Sequence, residues 1–437
     1  MKTFLRVFLL ILTVLVSIAA WLMLPWYILL GIAVLFVLWL LFTRRGQQTG
    51  SVTQVGLSTL KQRIAASLVV VIGIAGVVGV LVALLAMAEG YRETLRKSGS
   101  EDSAIVMRGA SAAEVMSTLS RDSIVAINDA PGVARDAQGR ALISPELIVA
   151  ANLPLKDGSG DDGSVQVRGV GDQAWAVRPS VKIVSGRKFE TGRRELVAGS
   201  GAQRQFAGLE PGHVIKLGSQ DWTVVGIFHS GDAMDSEIWG DAEVVASTYN
   251  RGSSRSSVTA KLSSAAAFKG FKAALANDPR LDVDTTTTLE YFNKQSEQMT
   301  TVLRAIGIVV GVIMALGAVF GALNTMYASV AARQREIGTL RAIGFRGVPV
   351  VVAVMLETLL LALLGGVIGG LLAWLIFNGY TASTIAGGVG QLTFQFKVSP
   401  QLLWTGVKWA MAIGFIGGLF PAVRAAHLPV TEALRSA

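Results

Sequence analysis

Long apolar runs alternate with short basic segments along most of this chain, and one long polar stretch interrupts them. Residues 4–24 carry a single charge, Arg6. Residues 26–43, 64–88 and 305–332 carry none, 347–377 carry only Glu357, and 403–423 carry only Lys408. A helix rises 1.5 Å per residue, so about 20 apolar residues cross a hydrocarbon core about 30 Å thick. The pattern predicts six transmembrane helices, of which 26–43 is the shortest. A basic start before an apolar run also describes a signal peptide. No small-x-small cleavage site precedes a polar mature start, however, and removing that helix inverts every later loop. The polar stretch reads as a mixture of elements. Helices are expected at 112–127, 265–276 and 289–302, and strands at 166–170, 213–217, 222–228 and 257–262. The glycine- and aspartate-rich segment 156–164 reads as a mobile loop.

The predicted fold class is therefore an α-helical transmembrane bundle with a large α+β extracytoplasmic domain. The bundle has a four-span core and an amino-terminal hairpin. The expected divisions are a hairpin at 1–45, a linker and interfacial helix at 46–63 and a first core span at 64–88. The α+β domain follows at 89–300, and 301–437 holds three further spans. In 46–63, Val55, Leu57, Leu60 and Ile64 recur at helical spacing beside Lys61 and Arg63, as in a helix lying at a membrane surface.

Charge orients the chain. Of 39 Lys and Arg and 30 Asp and Glu, residues 88–300 hold 24 and 27, a local net of −3. The remainder holds 15 basic residues against Glu336, Glu357 and Glu432. The overall +9 therefore belongs to the short loops of a membrane protein, and no nucleic-acid partner is expected. Lys2, Arg6, Arg44, Arg45, Lys61, Arg63, Arg333, Arg335, Arg341, Arg346, Arg424 and Arg435 fall on one side, which the positive-inside rule makes cytoplasmic. Both termini are then cytoplasmic, and the polar domain is extracytoplasmic, periplasmic in a cell with two membranes.

Chemistry narrows the reading further. The chain has no cysteine, and its three histidines are His213, His229 and His427. Thiol catalysis, zinc fingers and iron–sulfur ligation are excluded, and no metal site is expected. No G-x-x-x-x-G-K-[ST], H-E-x-x-H or G-x-S-x-G occurs, so neither a catalytic residue nor a cofactor bound by this chain is expected. The acidic run 232–241 reads as a solvated loop, because its spacing matches no calcium loop. Glu357 is a costly intramembrane carboxylate, with Lys408 or Arg304 as candidate partners. Lys408 itself is expected to snorkel toward the interface. Gly365, Gly366, Gly369 and Gly370 form two overlapping small-xxx-small pairs suited to close helix contact, with Gly73, Gly76 and Gly79 a second set.

The segment 331–347, AARQREIGTLRAIGFRG, lies between two spans. Ile337, Leu340 and Ile343 recur on one helical face, Arg333, Arg335, Glu336 and Arg341 supply polar contacts, and Gly344 can end the helix. Such a helix can dock into a groove on a soluble partner or simply hold two spans together.

These residues carry a resemblance. RQREIGTLRAIG at 333–344 resembles the signature of the MacB/FtsX/LolC-type ABC transporter permeases. PAVRAAHLPVTEALR at 421–435 is similar to the family's ending, and GLSTLKQRIAASLVVVIGIAGVVGV at 56–80 to its interfacial helix and first core span. GRKF at 186–189 and HVIKLGSQDWTVVGIF at 213–228 are similar to its periplasmic core. The resemblance covers about 55–437 and makes 89–300 a MacB-like domain and 301–437 an FtsX-like permease domain. It implies a non-catalytic permease subunit in a bacterial inner membrane. ATP and Mg belong to a separate ABC ATPase, present in two copies. A second permease copy or a paralogue completes a dimer, membrane lipid surrounds it, and a periplasmic adaptor and outer-membrane channel join it if the system is an efflux pump. ATPase closure would move Arg333, Arg335, Glu336, Ile337, Gly338, Leu340, Arg341 and Gly344, and long helices would carry that motion outward. The resemblance leaves three roles open: MacB-type export, FtsX-like activation of a cell-wall hydrolase and LolC-like lipoprotein extraction. It assigns no substrate-binding residue and no role to the hairpin.

Overall fold

A run of apolar residues without a polar face closes its backbone hydrogen bonds internally, so the described runs from Trp26 onward become helices. The computed structural model describes residues 13, 16–17, 20–58, 64–156, 158, 160–386 and 390–427. Most of the expected first span at 4–24 lies outside the described residues, as do Leu60, Lys61 and Arg63 and the tail 428–437 with Glu432 and Arg435. The chain divides into two units. One comprises 1–87, 303–378 and 397–437, and the other 88–302 and 379–396.

In the first unit, α1 (Trp26–Phe42) is followed by α2 (Arg44–Ser58). The two meet at a 93° bend. Thr43 makes that corner: its backbone is extended, its hydroxyl donates to the Trp39 carbonyl at 2.8 Å, and it accepts the Gly46 amide at 2.9 Å as an N-cap for α2. The polar linker expected after residue 45 is thus helical from Arg44. Among the described residues four helices are long and apolar enough to cross a membrane: α3 (Ile64–Lys97), α9 (Thr288–Ala332), α11 (Gly347–Phe377) and α12 (Pro400–His427). Counting the bent α1–α2 pair makes five. Six spans are therefore not established. The helix expected at 289–302 and the span at 305–332 are one 45-residue element, about 68 Å long.

The glycines of α11 pack within this chain. Gly365 and Gly369 face α3, where a Cβ would run into the backbone of Val71 and Ala75. Gly366 and Gly370 face Ala410 and Leu403 of α12. All four are buried. At Gly369 the obstacle is backbone, which cannot swing aside, whereas at Gly370 it is the end of a leucine side chain at 3.3 Å. Gly369→Ala is expected to cost about 1–3 kcal/mol by overpacking. Gly317→Ala on α9, where a Cβ meets nothing within 4 Å, is expected to be neutral or slightly stabilising. Melting of the detergent-solubilised protein separates the two.

The second unit is built on a ten-stranded sheet. Its strands are β1 (Ser103–Arg108), β2 (Ile143–Pro154), β3 (Asp162–Val170), β4 (Lys182–Gly186), β5 (Glu195–Gly199), β6 (Val214–Leu217), β7 (Gln220–His229), β8 (Glu237–Asp241), β9 (Ser257–Lys261) and β10 (Val283–Thr287). Their order is β10-β1-β9-β2-β3-β8-β5-β7-β4, with β6 added on β7. Two apolar cores fill it, one around Val167, Leu196, Trp222 and Ile238, the other around Val106, Ile127, Val258 and Phe271. The four strands expected from the sequence fall within β3, β6, β7 and β9, apart from one residue at each of two ends.

Three expectations change. The helix expected at 112–127 is a 3-10 turn at Glu114–Met116 followed by α4 (Arg121–Asn128). The helix is interrupted between them because Leu119 exchanges backbone hydrogen bonds with Arg255 at 2.7 and 3.1 Å. The acidic run 232–241 is not a solvated loop. Asp232, Asp235, Glu237 and Asp241 are all buried. The Asp235 carboxylate accepts the Ser230 and Gly231 amides, and Asp241 caps α7 (Ala242–Thr248). Residues 379–396, expected within the permease division 301–437, form a hairpin of β11 (Thr381–Ala386) and β12 (Gly390–Gln395) that belongs to the second unit. The Thr393 amide donates to Ser236 Oγ at 2.9 Å, Thr393 Oγ1 to Gln205 at 3.0 Å, and the Phe394 ring meets Tyr91 edge-on at 5.6 Å.

Candidate functional site

The segment between α9 and α11 forms a nine-residue helix, α10 (Gln334–Ala342). Arg333 alone separates it from α9, with φ −105° and ψ 13°. Glu336 in its first turn and Arg341 in its last complement the helix dipole. Its end is a Schellman turn: the Phe345 amide donates to the Leu340 carbonyl and the Gly344 amide to Arg341, both at 3.1 Å. Gly344 holds φ +105°, which a side chain would strain.

The expected contact residues divide by exposure. Arg335, Glu336 and Gly344 are exposed, Leu340 and Arg341 are half-buried, and Arg333, Ile337 and Gly338 are buried. The apolar stripe drawn through Ile337, Leu340 and Ile343 is not one docking surface. Ile337 packs into the chain's own core with Met326, Val330, Val350 and Ala422, while Ile343 is 70% exposed. A step of three residues turns the helix by 300°, so two such steps carry Ile343 well away from Ile337. The outward face comprises Arg335, Glu336, Thr339, Ile343 and Arg346. Arg346 was absent from the expected contacts. Its signal was the basic flank ahead of the next span.

Glu357 pairs with neither Lys408 nor Arg304. Its Oε2 meets Arg333 Nη1 at 3.0 Å, and both side chains are buried. Arg333 also reaches Glu336 at 3.1 Å. A residue expected to face a partner thus has its guanidinium turned inside the chain, against a buried carboxylate. A cavity of about 210 Å³ beside Glu357 is lined by Ser67, Thr325, Ser329 and Leu361 among others. The Lys408 amine donates to the Leu22 carbonyl, and the Trp21 ring nitrogen to that of Lys408 at 3.3 Å.

In the second unit, sequence reasoning missed a buried ionic cluster. Arg168 is 1% exposed and grips Glu237 through two hydrogen bonds of 2.7 and 2.8 Å. It also meets Glu114 at 3.1 and 3.2 Å and Glu146. Glu146 is shared with Arg178. Ser257 donates to Glu114 at 2.6 Å and the Trp239 indole to Glu237 at 2.9 Å. Three carboxylates thus face two guanidinium groups, an excess of one negative charge. Burial pushes the Glu237 carboxyl above its ordinary range. For Glu146 burial acts the same way, but Arg178 and Arg168 outweigh it and hold the group below. Burial works against the Arg168 charge, and Glu114, Glu237 and Glu146 raise its pKa well above the ordinary value nonetheless. These carboxylates are committed to guanidinium groups. Among the described residues no group of three or more His, Asp and Glu is placed to hold a metal.

Comparison with known proteins gives matches along most of the chain. The model of the MacB-like periplasmic core domain matches residues 65–278, and that of the FtsX-like permease C-terminal domain matches 308–430. The uncharacterized ABC transporter permease YknZ of Bacillus subtilis (strain 168) is 28% identical over 295 residues, 63% of this chain and 71% of that protein. The macrolide export ATP-binding/permease protein MacB of Bordetella avium (strain 197N) is 27% identical over 314 residues, 67% of this chain and 46% of that protein. The corresponding MacB of Chlorobium luteolum is 27% identical over 408 residues, 84% of this chain and 57% of that protein. The chain thus spans about half the length of these MacB relatives. Among solved structures, the periplasmic region of MacB from Actinobacillus actinomycetemcomitans matches with TM-score 0.34 and 16% identity, over 45% of this chain and 92% of that one. The extracellular domain of YknZ matches with TM-score 0.32 and 16% identity, over 42% and 100%.

Proposed function

We propose a function from one premise: this chain belongs to the ABC-transporter permeases that join a MacB-like periplasmic core domain to an FtsX-like permease domain. Such permeases work with ABC ATPase partners, and these 437 residues contain no phosphate-cradling loop. On our reading, two copies of a separate ATPase bind ATP and Mg, and each grips the outward face of α10. Both termini and α10 are cytoplasmic, and the domain built on the ten-stranded sheet lies across the membrane. ATPase closure shifts α10, and the membrane helices carry the shift to that domain, which drives export or extraction of a substrate from the far side. A second permease copy or a paralogue completes the transporter, and a periplasmic adaptor with an outer-membrane channel extends it.

The observation that carries this reading is the exposed face of α10. A large apolar side chain, Ile343, stands there 70% exposed between Arg335 and Arg346, at the carboxyl-terminal cap of a nine-residue helix joining two spans. Burying an isoleucine stabilises a contact by about 1.5–3 kcal/mol. Ile343→Asp is therefore expected to weaken ATPase binding by roughly tenfold to a hundredfold while leaving the permease folded. Ile337→Asp places a charge in the core and is expected to reduce folded protein instead. Co-purification of the ATPase through the tagged permease checks both. An Ile343→Asp variant that retains the ATPase at wild-type stoichiometry and affinity overturns the docking face. The soluble proteins recovered in the same experiment separate efflux, lipoprotein extraction and hydrolase activation.

A further inference from the structure

The amino-terminal helix α2 lies outside both matched domains, the first of which begins at residue 65. It nevertheless turns one face inward. Thr49, Val52 and Gly56, spaced by three and four residues, are all buried, while Ser51 and Gln54 between them are exposed. Gly56 sits directly on the Arg333–Glu357 ion pair. A Cβ at that position would lie 3.2 Å from each terminal guanidinium nitrogen of Arg333 and 3.4 Å from Glu357 Oε2. The absence of a side chain is what lets the α2 backbone approach so closely.

The pair it covers occupies a singular position. Arg333 is the one residue between α9 and α10, Glu357 belongs to α11, and Arg333 also holds Glu336 in the first turn of α10. A displacement of α10 relative to α11 must therefore strain or break this contact. Covering an ion pair excludes water from it and strengthens the attraction.

We propose that α2 is a strap over the joint between α10 and α11. Through Gly56 it keeps the Arg333–Glu357 pair closed and so sets how strongly movement of α10 is transmitted to the membrane helices. Gly56, Arg333 and Glu357 act here as positioning residues; none of them touches the ATPase. The proposal rests on the reading of α10 as the ATPase contact, and it gives the helix that follows the amino-terminal hairpin a regulatory role.

The test uses the full complex of permease and ATPase in lipid vesicles, read as ATP turnover and as ATPase stoichiometry. Gly56→Leu forces the pair apart. It is expected to keep the ATPase bound while changing turnover in the complex by roughly 5- to 150-fold, the ordinary range of coupling between two sites. Gly56→Ala, where the flexible guanidinium can yield by a few tenths of an ångström, is expected to give an intermediate change. It also keeps the test alive if the leucine variant does not fold. Ser51→Ala, on the exposed face, is the control. A double-mutant cycle then asks whether the strap acts through the pair. With Glu357→Gln in place, Gly56→Ala and Gly56→Leu are expected to have little further effect. Wild-type turnover in every foldable Gly56 variant, or effects that simply add to those of Glu357→Gln, overturns the strap while leaving the docking of the ATPase intact. A wild-type permease that binds no ATPase overturns the reading beneath it.

Discussion

Arg168→Met is expected to destabilise strongly the domain built on the ten-stranded sheet at neutral pH. The substitution keeps most of the side-chain volume and removes the one cation that faces Glu114, Glu146 and Glu237 together. Arg178 remains for Glu146, but Glu114 and Glu237 are left buried against each other with no guanidinium between them. Removing one partner of a buried ionic group costs about 3–5 kcal/mol, a large share of the 5–15 kcal/mol that holds an ordinary domain together. In a domain of this size that corresponds to a fall in melting temperature of roughly 6–20 °C. Lys182→Met, at an exposed position of β4, is expected to stay within about 0.5 kcal/mol.

Acid should partly reverse the Arg168→Met defect. Unpaired buried carboxyls bind protons more tightly folded than unfolded, so stability rises as pH falls from neutrality toward their ordinary range. The native cluster responds in both directions. Glu146, held below its ordinary range, contributes stability that is present above that range and lost as pH falls through its folded value. Glu237, held above it, costs stability at neutral pH and ceases to do so on protonation. Melting the purified permease and the Arg168→Met variant at pH 7.5 and pH 5 is decisive. A variant that melts with the wild type at pH 7.5, or one that loses further stability on acidification, contradicts this account.

The second large effect is expected at the buried Arg333–Glu357 pair. Glu357→Leu strands the Arg333 guanidinium, whose remaining partner, Glu336, is itself about half exposed. The expected loss is again about 3–5 kcal/mol. Glu357→Gln keeps a carbonyl oxygen for the guanidinium and should cost less. Arg333→Met combined with Glu357→Leu removes both members of the pair and should recover part of the loss, because replacing a buried pair by apolar groups is often neutral. The measurement is the melting of the four proteins in detergent together with their yield in membranes. Losses that add in the double variant would show that the two residues do not act as a pair.

These predictions mark where sequence reasoning reached and where it stopped. The apolar runs located α3, α9, α11 and α12 because a bilayer demands length and composition, both of which are written locally. The strand segments in β3, β6, β7 and β9 were legible for the same reason: alternation and bounding glycines are local signals. The glycine pairs in α11 announced close packing, although only the structure assigned one face to α3 and the other to α12. The buried cluster was invisible, because Arg168 meets partners 22, 54 and 69 residues away. Asp232 to Asp241 read as solvated because composition reports charge, and charge alone does not reveal the amides and guanidinium groups that answer it.

By itself, then, the order of residues determined that this is a membrane chain with a polar α+β insertion and a short charged helix between two spans. Backbone hydrogen bonding and hydrocarbon burial act over a few turns and leave periodic marks. Tertiary structure alone decided which face of α10 looks outward, that Arg333 belongs to Glu357, and that residues 379–396 join the sheet-bearing unit. Each of those outcomes depends on which distant group answers a buried charge or a backbone amide, and that pairing energy exists only once the chain has folded.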